Sequence, residues 1–374
     1  MDKIASPAKG TSNEVRQSVF YPPQALPRVI TLEITTACNN FCSGCANVEL
    51  SRNKAGRKNT SGFMLHWREV LEKIFRASKG DVILRLSGGE PTLHPEFESI
   101  IQMIMQMGIP FAILSTGRWN KIRRENLIRI LQGENAFLGF LVSLHGSDAK
   151  NHCAFTESPE KSFTETCNNI AVTCKNGLRV FTNSVISNKN WDDVEKIYLL
   201  SQQLGAEMAV FNRFIAKEHA LLPSTVQLKG AIQSILRLQA QGGACRISNS
   251  MPKCFFPNNS YATPAGFELC HISPSGRVRP DNFSHFSFGN LFETDLEQIW
   301  HSDKAHFFRN HFPDSCLDCA ALPSCRGGLK SLSIESPNAQ GDPLMGTPLS
   351  FEQVQFWDDD KEKSNSLMLA LTSD

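Results

Sequence analysis

Long apolar runs are missing from this 374-residue chain, and so is any imbalance of charge. No apolar stretch approaches the ~20 residues that a membrane-spanning helix needs. The 38 Lys and Arg residues nearly balance the 37 Asp and Glu residues, so bulk charge favours neither a nucleic acid nor a membrane as a partner. The first ten residues lack the apolar segment of a secretory signal peptide. No internal repeat is visible, which argues against a solenoid.

Cysteine, by contrast, is plentiful. Twelve cysteines without an export signal argue against a disulfide framework and for metal or redox chemistry in a reducing compartment. We therefore expect a cytoplasmic protein. The length suits two domains, with ample material for a buried core.

Strand-like runs alternate with helical patterns between about residues 28 and 216. The predicted strands are 29–35, 82–86, 111–114, 137–143, 178–181 and 208–211, and the predicted helices are 97–107, 122–131, 163–174 and 191–204. This alternation implies right-handed crossovers and a parallel sheet. Six units are too few to close an eight-fold barrel, so the expected fold is α/β, an open partial (β/α)6 TIM-like barrel. Its chemistry should lie at the carboxyl ends of the strands.

Three cysteines follow the first predicted strand directly. Cys38, Cys42 and Cys45 have the spacing C-x3-C-x2-C. Iron in iron–sulfur clusters is usually held by four Cys thiolates, so three in one loop leave one iron open to a substrate or cofactor. A zinc knuckle or three unrelated core cysteines are the alternatives, because spacing alone gives only a hypothesis.

A second motif ends the second predicted strand. In Ser87-Gly88-Gly89-Glu90-Pro91, the two glycines allow the backbone to approach a ligand closely, and the carboxylate of Glu90 suits an α-ammonium group. Alone, this sequence is a common turn. It lies one βα unit after the cysteine loop, so we expect the two motifs to face each other.

Together, the three cysteines and the Gly-Gly-Glu-Pro element resemble the signature of radical S-adenosylmethionine (SAM) enzymes, over roughly residues 28–330. The resemblance implies a [4Fe–4S] cluster on Cys38, Cys42 and Cys45, with SAM on the fourth iron. It implies that residues 88–91 hold the methionine amine. The implied chemistry is one-electron cleavage of SAM to a 5′-deoxyadenosyl radical that abstracts hydrogen from the substrate.

Other contacts implied by the resemblance are weaker. Candidates to hold the ribose and carboxylate of the cofactor are Ser115, Thr116, Ser143, Asn183 and Arg213. Each can equally be a strand-end cap or, for Arg213, an ordinary strand-end charge or a contact to a substrate carboxylate. The family usually has an aromatic residue before the third cysteine, near the adenine. Here that residue is Gly44, and Phe41 is the substitute that the loop offers.

The C-terminal third holds a second cysteine pattern. Cys316, Cys319 and Cys325 form C-x2-C-x5-C, and Cys254 and Cys270 lie upstream, before a hairpin turn at Ser275-Gly276. The layout resembles the SPASM domain and its shortened relative, the twitch domain, which hold auxiliary iron–sulfur clusters. A full SPASM domain has seven cysteines for two clusters.

Two of those seven cysteines are absent, because Asp281 and Leu329 stand at their positions. We therefore expect one auxiliary cluster, of the [4Fe–4S] type, with Cys254, Cys270, Cys316 and Cys319 as ligands. Cys325 is a fifth candidate or a thiol near the cluster, and Asp281 could supply an oxygen ligand. A zinc ribbon is the alternative, since C-x2-C pairs are the usual zinc half-sites.

The remaining cysteines are Cys153, Cys167, Cys174 and Cys245. Cys167 and Cys174 lie seven residues apart on a predicted helix, which suits core packing. Cys153 follows the fourth strand near the expected mouth, together with His145 and His152. It is the one candidate for a catalytic hydrogen donor or relay, and a structural role is the alternative.

The expected domains are a flexible segment over residues 1–27, the barrel over 28–216, a helical connector over 217–253, the cluster domain over 254–330 and a tail over 331–374. Enzymes with such domains mostly modify ribosomal peptides or protein side chains. About 27 residues precede the barrel, too few for a leader-binding domain. A separate leader-binding protein is therefore expected to present a precursor peptide, with flavodoxin or ferredoxin as electron donor.

The chain resembles maturases of peptides with nitrogenase-like leaders, including those that excise tyramine from a Tyr-Gly pair. The expected outcomes are oxidation, cross-linking or backbone excision of the peptide. Two alternatives remain open: a twitch-type dehydrogenase of a small alcohol, and an activase or side-chain maturase that acts on a partner enzyme.

Overall fold

The computed structural model describes residues 25–45, 47, 64–216, 219–248, 250–257, 263–334 and 341–349. Most of the predicted N-terminal segment and residues 350–374 of the predicted tail lie outside these ranges. No helix in the described ranges is long and apolar enough to cross a membrane.

In the part of the chain that the structure describes, ten strands form one sheet, in the order β10-β9-β8-β1-β2-β3-β4-β5-β6-β7. They are β1 (Val29–Thr35), β2 (Ile83–Gly88), β3 (Phe111–Ser115), β4 (Phe137–Ser143), β5 (Val180–Ile186), β6 (Met208–Arg213), β7 (Cys245–Ile247), β8 (Leu269–Ile272), β9 (Arg277–Arg279) and β10 (Gly289–Asn290). The strands from β8 through β1 to β7 run parallel, whereas β8, β9 and β10 pair antiparallel.

The helices between and after these strands are α1 (Met64–Ser78), α2 (Phe97–Gln106), α3 (Lys121–Leu131), α4 (Ala149–Thr156), α5 (Lys161–Lys175), α6 (Val194–Gln203), α7 (Thr225–Ala240), α8 (Leu296–Trp300), α9 (Asp303–Asn310), α10 (Asp314–Leu317), α11 (Leu322–Cys325) and α12 (Lys330–Ile334). Helices α1, α2 and α3 cover the sheet and enclose the main apolar core with β1 to β4.

The predicted open barrel is confirmed, and it is wider than the predicted six strands. The sequence predicts β1 and β4 with the observed bounds. Strand β5 extends to Ile186, past the predicted end at Phe181. Its polar residues Thr182 and Ser184 can be buried in the sheet because their hydroxyl groups form hydrogen bonds inside the protein. Thr182 bonds Ser201 at 2.7 Å, and Ser184 donates to Leu144 O. An apolar run does not reveal such buried polar positions.

Two short strands widen the parallel sheet at its edges. Strand β7 lies within the predicted helical connector and pairs with β6, and β8 pairs with β1. A buried ion pair stabilises the β8 side of the sheet: the guanidinium of Arg279 on β9 donates to the carboxylate of Glu33 on β1 at 2.5 Å. Burial alone would raise the pKa of Glu33, but Arg279 and His271 hold it below its usual value. The C-terminal hairpin is therefore joined to the barrel through the side of β1.

Candidate active site

The inner face of the sheet divides into an apolar base and a polar mouth. Ala112, Leu141, Phe181 and Val210 pack together across β3 to β6. Ser143 and Asn183 lie two residues further along their strands than Leu141 and Phe181, on the same face, and are register partners. The open end thus lies at the carboxyl ends of the strands, as expected for a parallel α/β fold.

The three-cysteine loop leaves β1 at this mouth. Cys38, Cys42 and Cys45 are each partly exposed, and the loop turns through a 3.2 Å hydrogen bond from Cys45 N to Cys42 O. The N–H of Asn40 lies 3.5 Å from Cys38 Sγ. Among the described residues, no three His, Cys, Asp or Glu side chains are gathered as closely as one metal ion requires. Three thiols on one exposed loop suit a cluster, which binds each thiolate on a separate iron.

Gly88 and Gly89 form the surface against which this loop packs. Gly89 N donates to Thr35 O and Glu90 N donates to Ala37 O, both at 2.7 Å. A Cβ on Gly88 would lie 3.0 Å from Thr35 N, and one on Gly89 would lie 3.0 Å from the Cβ of Cys38. The two motifs face each other as the sequence predicts, and only glycine fits their contact.

The carboxylate of Glu90 is fully buried and accepts hydrogen bonds from three neighbouring residues. Thr92 donates through its N–H at 3.2 Å and its hydroxyl at 2.6 Å. Ser115 Oγ lies 3.0 and 2.9 Å from the two carboxylate oxygens, and Thr116 N donates at 2.6 Å. These bonds use most of the roughly four acceptor positions of a carboxylate, which favours a positioning role for this side chain.

Thr116 carries this network on to the cysteine loop. Its hydroxyl donates to Asn39 Oδ1 at 2.9 Å, and Asn39 Nδ2 donates to Arg118 O at 3.0 Å. The guanidinium of Arg118 donates to Asn39 O and, at 3.0 Å, to Asn40 Oδ1. The loops after β1, β2 and β3 are therefore one hydrogen-bonded unit. The sequence analysis missed Asn39 and Arg118, although Arg118 lies only two residues after the predicted contact Thr116.

Phe214, just after β6, fills the space beside Gly44. A Cβ on Gly44 would lie 2.6 Å from Phe214 Cζ. The ring also packs with Phe155 and Cys42. His219 holds the same loop through Nε2 and Ser43 O, 2.9 Å apart, while its Nδ1 accepts from Leu221 N. The aromatic side chain next to Gly44 thus comes from a distant strand end, whereas Phe41 is 46% exposed. No local sequence signal reveals this pairing.

Arg213 differs from the other predicted cofactor contacts. Its guanidinium forms a buried, two-pronged ion pair with Asp342, in which Nη1 lies 2.8 Å from Oδ1. It also donates to Ser250 O at 2.9 Å. These contacts favour the structural alternative over a contact with a cofactor or substrate carboxylate. Asn183 accepts from Asn212 Nδ2 at 2.5 Å and remains at the mouth with Ser143.

His145 and His152 lie together behind the mouth. Nδ1 of His145 accepts from Val185 N, and Nδ1 of His152 accepts from His145 N, so each neutral ring carries its proton on Nε2. Burial lowers the pKa of His145 to about 3, with His152 adding to the effect. Burial and the charge of Arg118 lower the pKa of His152 to about 4. Both rings are neutral at pH 7 and act as fixed hydrogen-bonding groups.

The four cysteines that belong to neither cysteine pattern have surroundings that indicate structural roles. Burial raises the pKa of Cys167 and Cys174 to about 11 and that of Cys245 to about 12, which makes them poor nucleophiles. Cys153 lies on α4, and its Sγ is 3.5 Å from both Pro159 O, in the turn before α5, and Ser162 Oγ, on α5. These contacts favour the structural role for Cys153.

Comparisons with known families agree with this geometry. Residues 32–200 match the radical SAM superfamily, and residues 264–320 match SPASM, an iron–sulfur cluster-binding domain. The chain is therefore an enzyme with a radical SAM domain and a SPASM domain. These domains imply SAM, a [4Fe–4S] cluster and auxiliary iron–sulfur clusters, and they confirm the cofactor classes predicted from the sequence.

Individual relatives are distant. The PqqA peptide cyclase of Ruegeria pomeroyi is 24% identical, over 86% of this chain and 88% of the relative. The AdoMet-dependent heme synthase of Methanosarcina barkeri is 25% identical, over 80% of this chain and 90% of the relative. Streptococcus suis SuiB bound to its precursor peptide SuiA shares the fold, with a TM-score of 0.69 at 15% identity, over 86% of this chain and 76% of SuiB.

The described residues suit these cofactors. The loop of Cys38, Cys42 and Cys45 is partly exposed at the barrel mouth and is fixed from several sides. The Gly88–Gly89 backbone passes directly beside it. When bound, the cluster and SAM supply a radical that abstracts hydrogen from the substrate. The chain supplies a rigid loop, a backbone cradle and a polar mouth.

Proposed function

We propose that this protein is a radical SAM maturase that modifies a ribosomally made precursor peptide. The observation that carries the proposal is the fixed three-cysteine loop after β1, a strand that also pairs with β8 of the C-terminal hairpin. The PqqA peptide cyclase, which is similar in sequence, and SuiB, which is similar in fold, are both described with peptides. The AdoMet-dependent heme synthase supports a second candidate, action on a small molecule, for which we propose oxidation of a small alcohol.

Within this proposal, Cys38, Cys42 and Cys45 bind the catalytic cluster, and the Gly88–Gly89 backbone receives the methionine amine of SAM. Glu90, Pro91, Ser115 and Thr116 position that backbone, as the hydrogen bonds of Glu90 support. Ser143 and Asn183 lie at the mouth, where they can contact the ribose and carboxylate. Phe214 replaces the usual aromatic residue of the loop as the apolar wall.

We further propose that the reaction ends in oxidation, cross-linking or excision of a tyramine unit from the peptide. Cleavage of SAM consumes one electron, so an electron donor such as flavodoxin or ferredoxin is a proposed partner. A separate leader-binding protein is another. The thiol-rich composition fits a reducing cytoplasm.

The test is anaerobic incubation of the reconstituted protein with SAM, dithionite and the peptide encoded beside its gene. We expect 5′-deoxyadenosine and a change in intact peptide mass, both lost in the Cys42→Ala variant. Yield should rise when the leader-binding protein is added. No 5′-deoxyadenosine above the Cys42→Ala level would overturn the radical chemistry. An unchanged peptide with oxidation of a small alcohol would favour the second candidate.

A further inference from the structure

The C-x2-C-x5-C segment folds as two short helices, α10 and α11, joined by a turn. Cys319 N donates to Cys316 O at 3.1 Å, and Leu322 N donates to Cys319 O at 2.9 Å. Cys325 ends the next short helix, with its N–H bonded to Ala321 O at 2.8 Å. These local bonds hold the backbone of all three cysteines in a single compact loop.

Cys254 approaches this loop from a distant part of the chain. The N–H of its neighbour Lys253 lies 3.3 Å from Cys325 Sγ. A Cβ on Gly328, three residues after Cys325, would lie 3.2 Å from the Cβ of Pro252, so the two segments pack against each other. The segment that carries Cys254 therefore packs directly against the loop that carries Cys316, Cys319 and Cys325.

Cys270 has different surroundings. It is fully buried on β8, opposite Ile30 of β1, and belongs to the main apolar core with Ile272. Its charged neighbour is Arg309, which donates to Gly266 O at 2.7 Å and to Trp300 O at 2.9 Å. A cluster bound by Cys270 would have to displace closely packed core side chains.

Protein groups also occupy the surroundings of the two missing cysteines. Asp281 is fully buried and accepts from Phe283 N at 3.0 Å and from the hydroxyl of Ser331. Leu329 is fully buried, and its N–H donates to Asp342. The ammonium of Lys330 lies 3.6 Å from the centre of the Phe312 ring and donates to Arg309 O. The side chain of Asp281 is thus engaged within the protein.

We propose that the protein holds a single auxiliary cluster, bound by Cys254, Cys316, Cys319 and Cys325, and that Cys270 is a core residue. This set replaces Cys270 of the sequence prediction with Cys325. Four thiolates are the usual ligand number for a [4Fe–4S] cluster. The proposal rests on the auxiliary cluster that the SPASM domain implies, and it is independent of the substrate.

The test measures iron without any turnover. The full chain is prepared with Cys38, Cys42 and Cys45 all changed to Ala, so that only auxiliary iron remains. After anaerobic reconstitution with ⁵⁷Fe, we expect about four irons and four sulfides per chain and a [4Fe–4S] Mössbauer spectrum. In this background, Cys254→Ala and Cys325→Ala should each lose more than half of the iron. The matched Cys270→Ala variant should keep it.

Gel filtration and circular dichroism on the same samples establish folding. If Cys325→Ala does not fold, Cys325→Ser keeps the side-chain volume, and an altered Mössbauer spectrum is then expected. Loss of iron in Cys270→Ala with retention in Cys325→Ala would overturn the ligand set. About eight irons, or zinc in place of iron, would overturn the single cluster. These iron and zinc contents do not depend on whether the wild-type protein modifies a peptide. The ligand set and the proposed peptide-maturase function can therefore be disproved independently.

Discussion

The backbone N–H of Thr116 donates a 2.6 Å hydrogen bond to Oε2 of the fully buried Glu90. This bond joins the end of β3 to the Gly-Gly-Glu-Pro turn after β2, and the Thr116 hydroxyl then bonds Asn39 beside the first cysteine. Hydrogen bonds within the protein thereby fix these loops relative to one another. Such preorganisation reduces the ordering cost of binding.

Glu90→Gln should lower stability together with cluster retention. The amide has one acceptor oxygen and would turn its NH₂ group toward donors, which leaves buried groups unsatisfied at a cost of ~1–3 kcal/mol. Anaerobic thermal unfolding and iron content at the first cluster measure this. Glu98→Gln is the matched control, because Glu98 makes a partly exposed pair with Arg123. Unchanged stability with a loss only of SAM affinity would instead indicate direct contact between Glu90 and the cofactor.

Gly44→Ala should disturb the cysteine loop, because the added methyl group collides with Phe214. Overpacking of this kind costs ~1–3 kcal/mol. The double variant Gly44→Ala/Phe214→Ala should show less loss than the sum of the two single variants, since the collision is gone. Thermal midpoints and iron per chain are the readouts. Additive effects would show that the two positions do not touch in solution.

His152→Asn should reduce the acid sensitivity of the fold. The pKa of His152 is about 4 in the fold, below the ordinary 6.5, so the unfolded chain binds more protons between these values. Stability contributed by the neutral ring is therefore complete above pH ~6.5 and is lost as the pH falls toward 4, by up to ~1.4 kcal/mol per pH unit. The Asn oxygen can replace Nδ1 as acceptor but does not titrate.

The measurement for this variant is the thermal midpoint at pH 7.5 and at pH 5.5, compared with wild type. The decrease between the two values should be smaller in His152→Asn. Since cluster loss at low pH affects both proteins, the difference between them isolates the histidine. An equal decrease in both would contradict the neutral, buried assignment.

Arg213→Ala should destabilise the protein by ~3–5 kcal/mol, because it leaves the carboxylate of Asp342 buried without its partner. The double variant Arg213→Leu/Asp342→Leu should be less destabilised, since both charges are removed. Affinity for SAM, measured by equilibrium dialysis on the double variant, should stay within about threefold of wild type. A tenfold loss in the folded double variant would restore Arg213 as a carboxylate contact.

The sequence alone was sufficient to determine the motifs and the strands that carry them. The Cys38–Cys45 spacing, the Gly-Gly-Glu-Pro turn and the alternation of strands and helices are local patterns, because iron–sulfur ligation, close backbone approach and amphipathic packing each require particular residues at short separations. Strands β1 and β4 were therefore predicted to the residue. The single catalytic loop at the carboxyl end of β1 followed from the same rules.

Tertiary structure decided which distant residues meet. Phe214 beside Gly44, Arg213 with Asp342, and Lys253 beside Cys325 are pairs separated by more than 70 residues, and no local periodicity records them. The position of Cys270 was also decided by tertiary structure. A cysteine suggests a cluster ligand, but on β8 this side chain lies in the main apolar core. The local sequence pattern determines which metal-binding and cofactor-binding residues the protein has. The packing of strands and helices that are distant in sequence determines which of those residues contact one another.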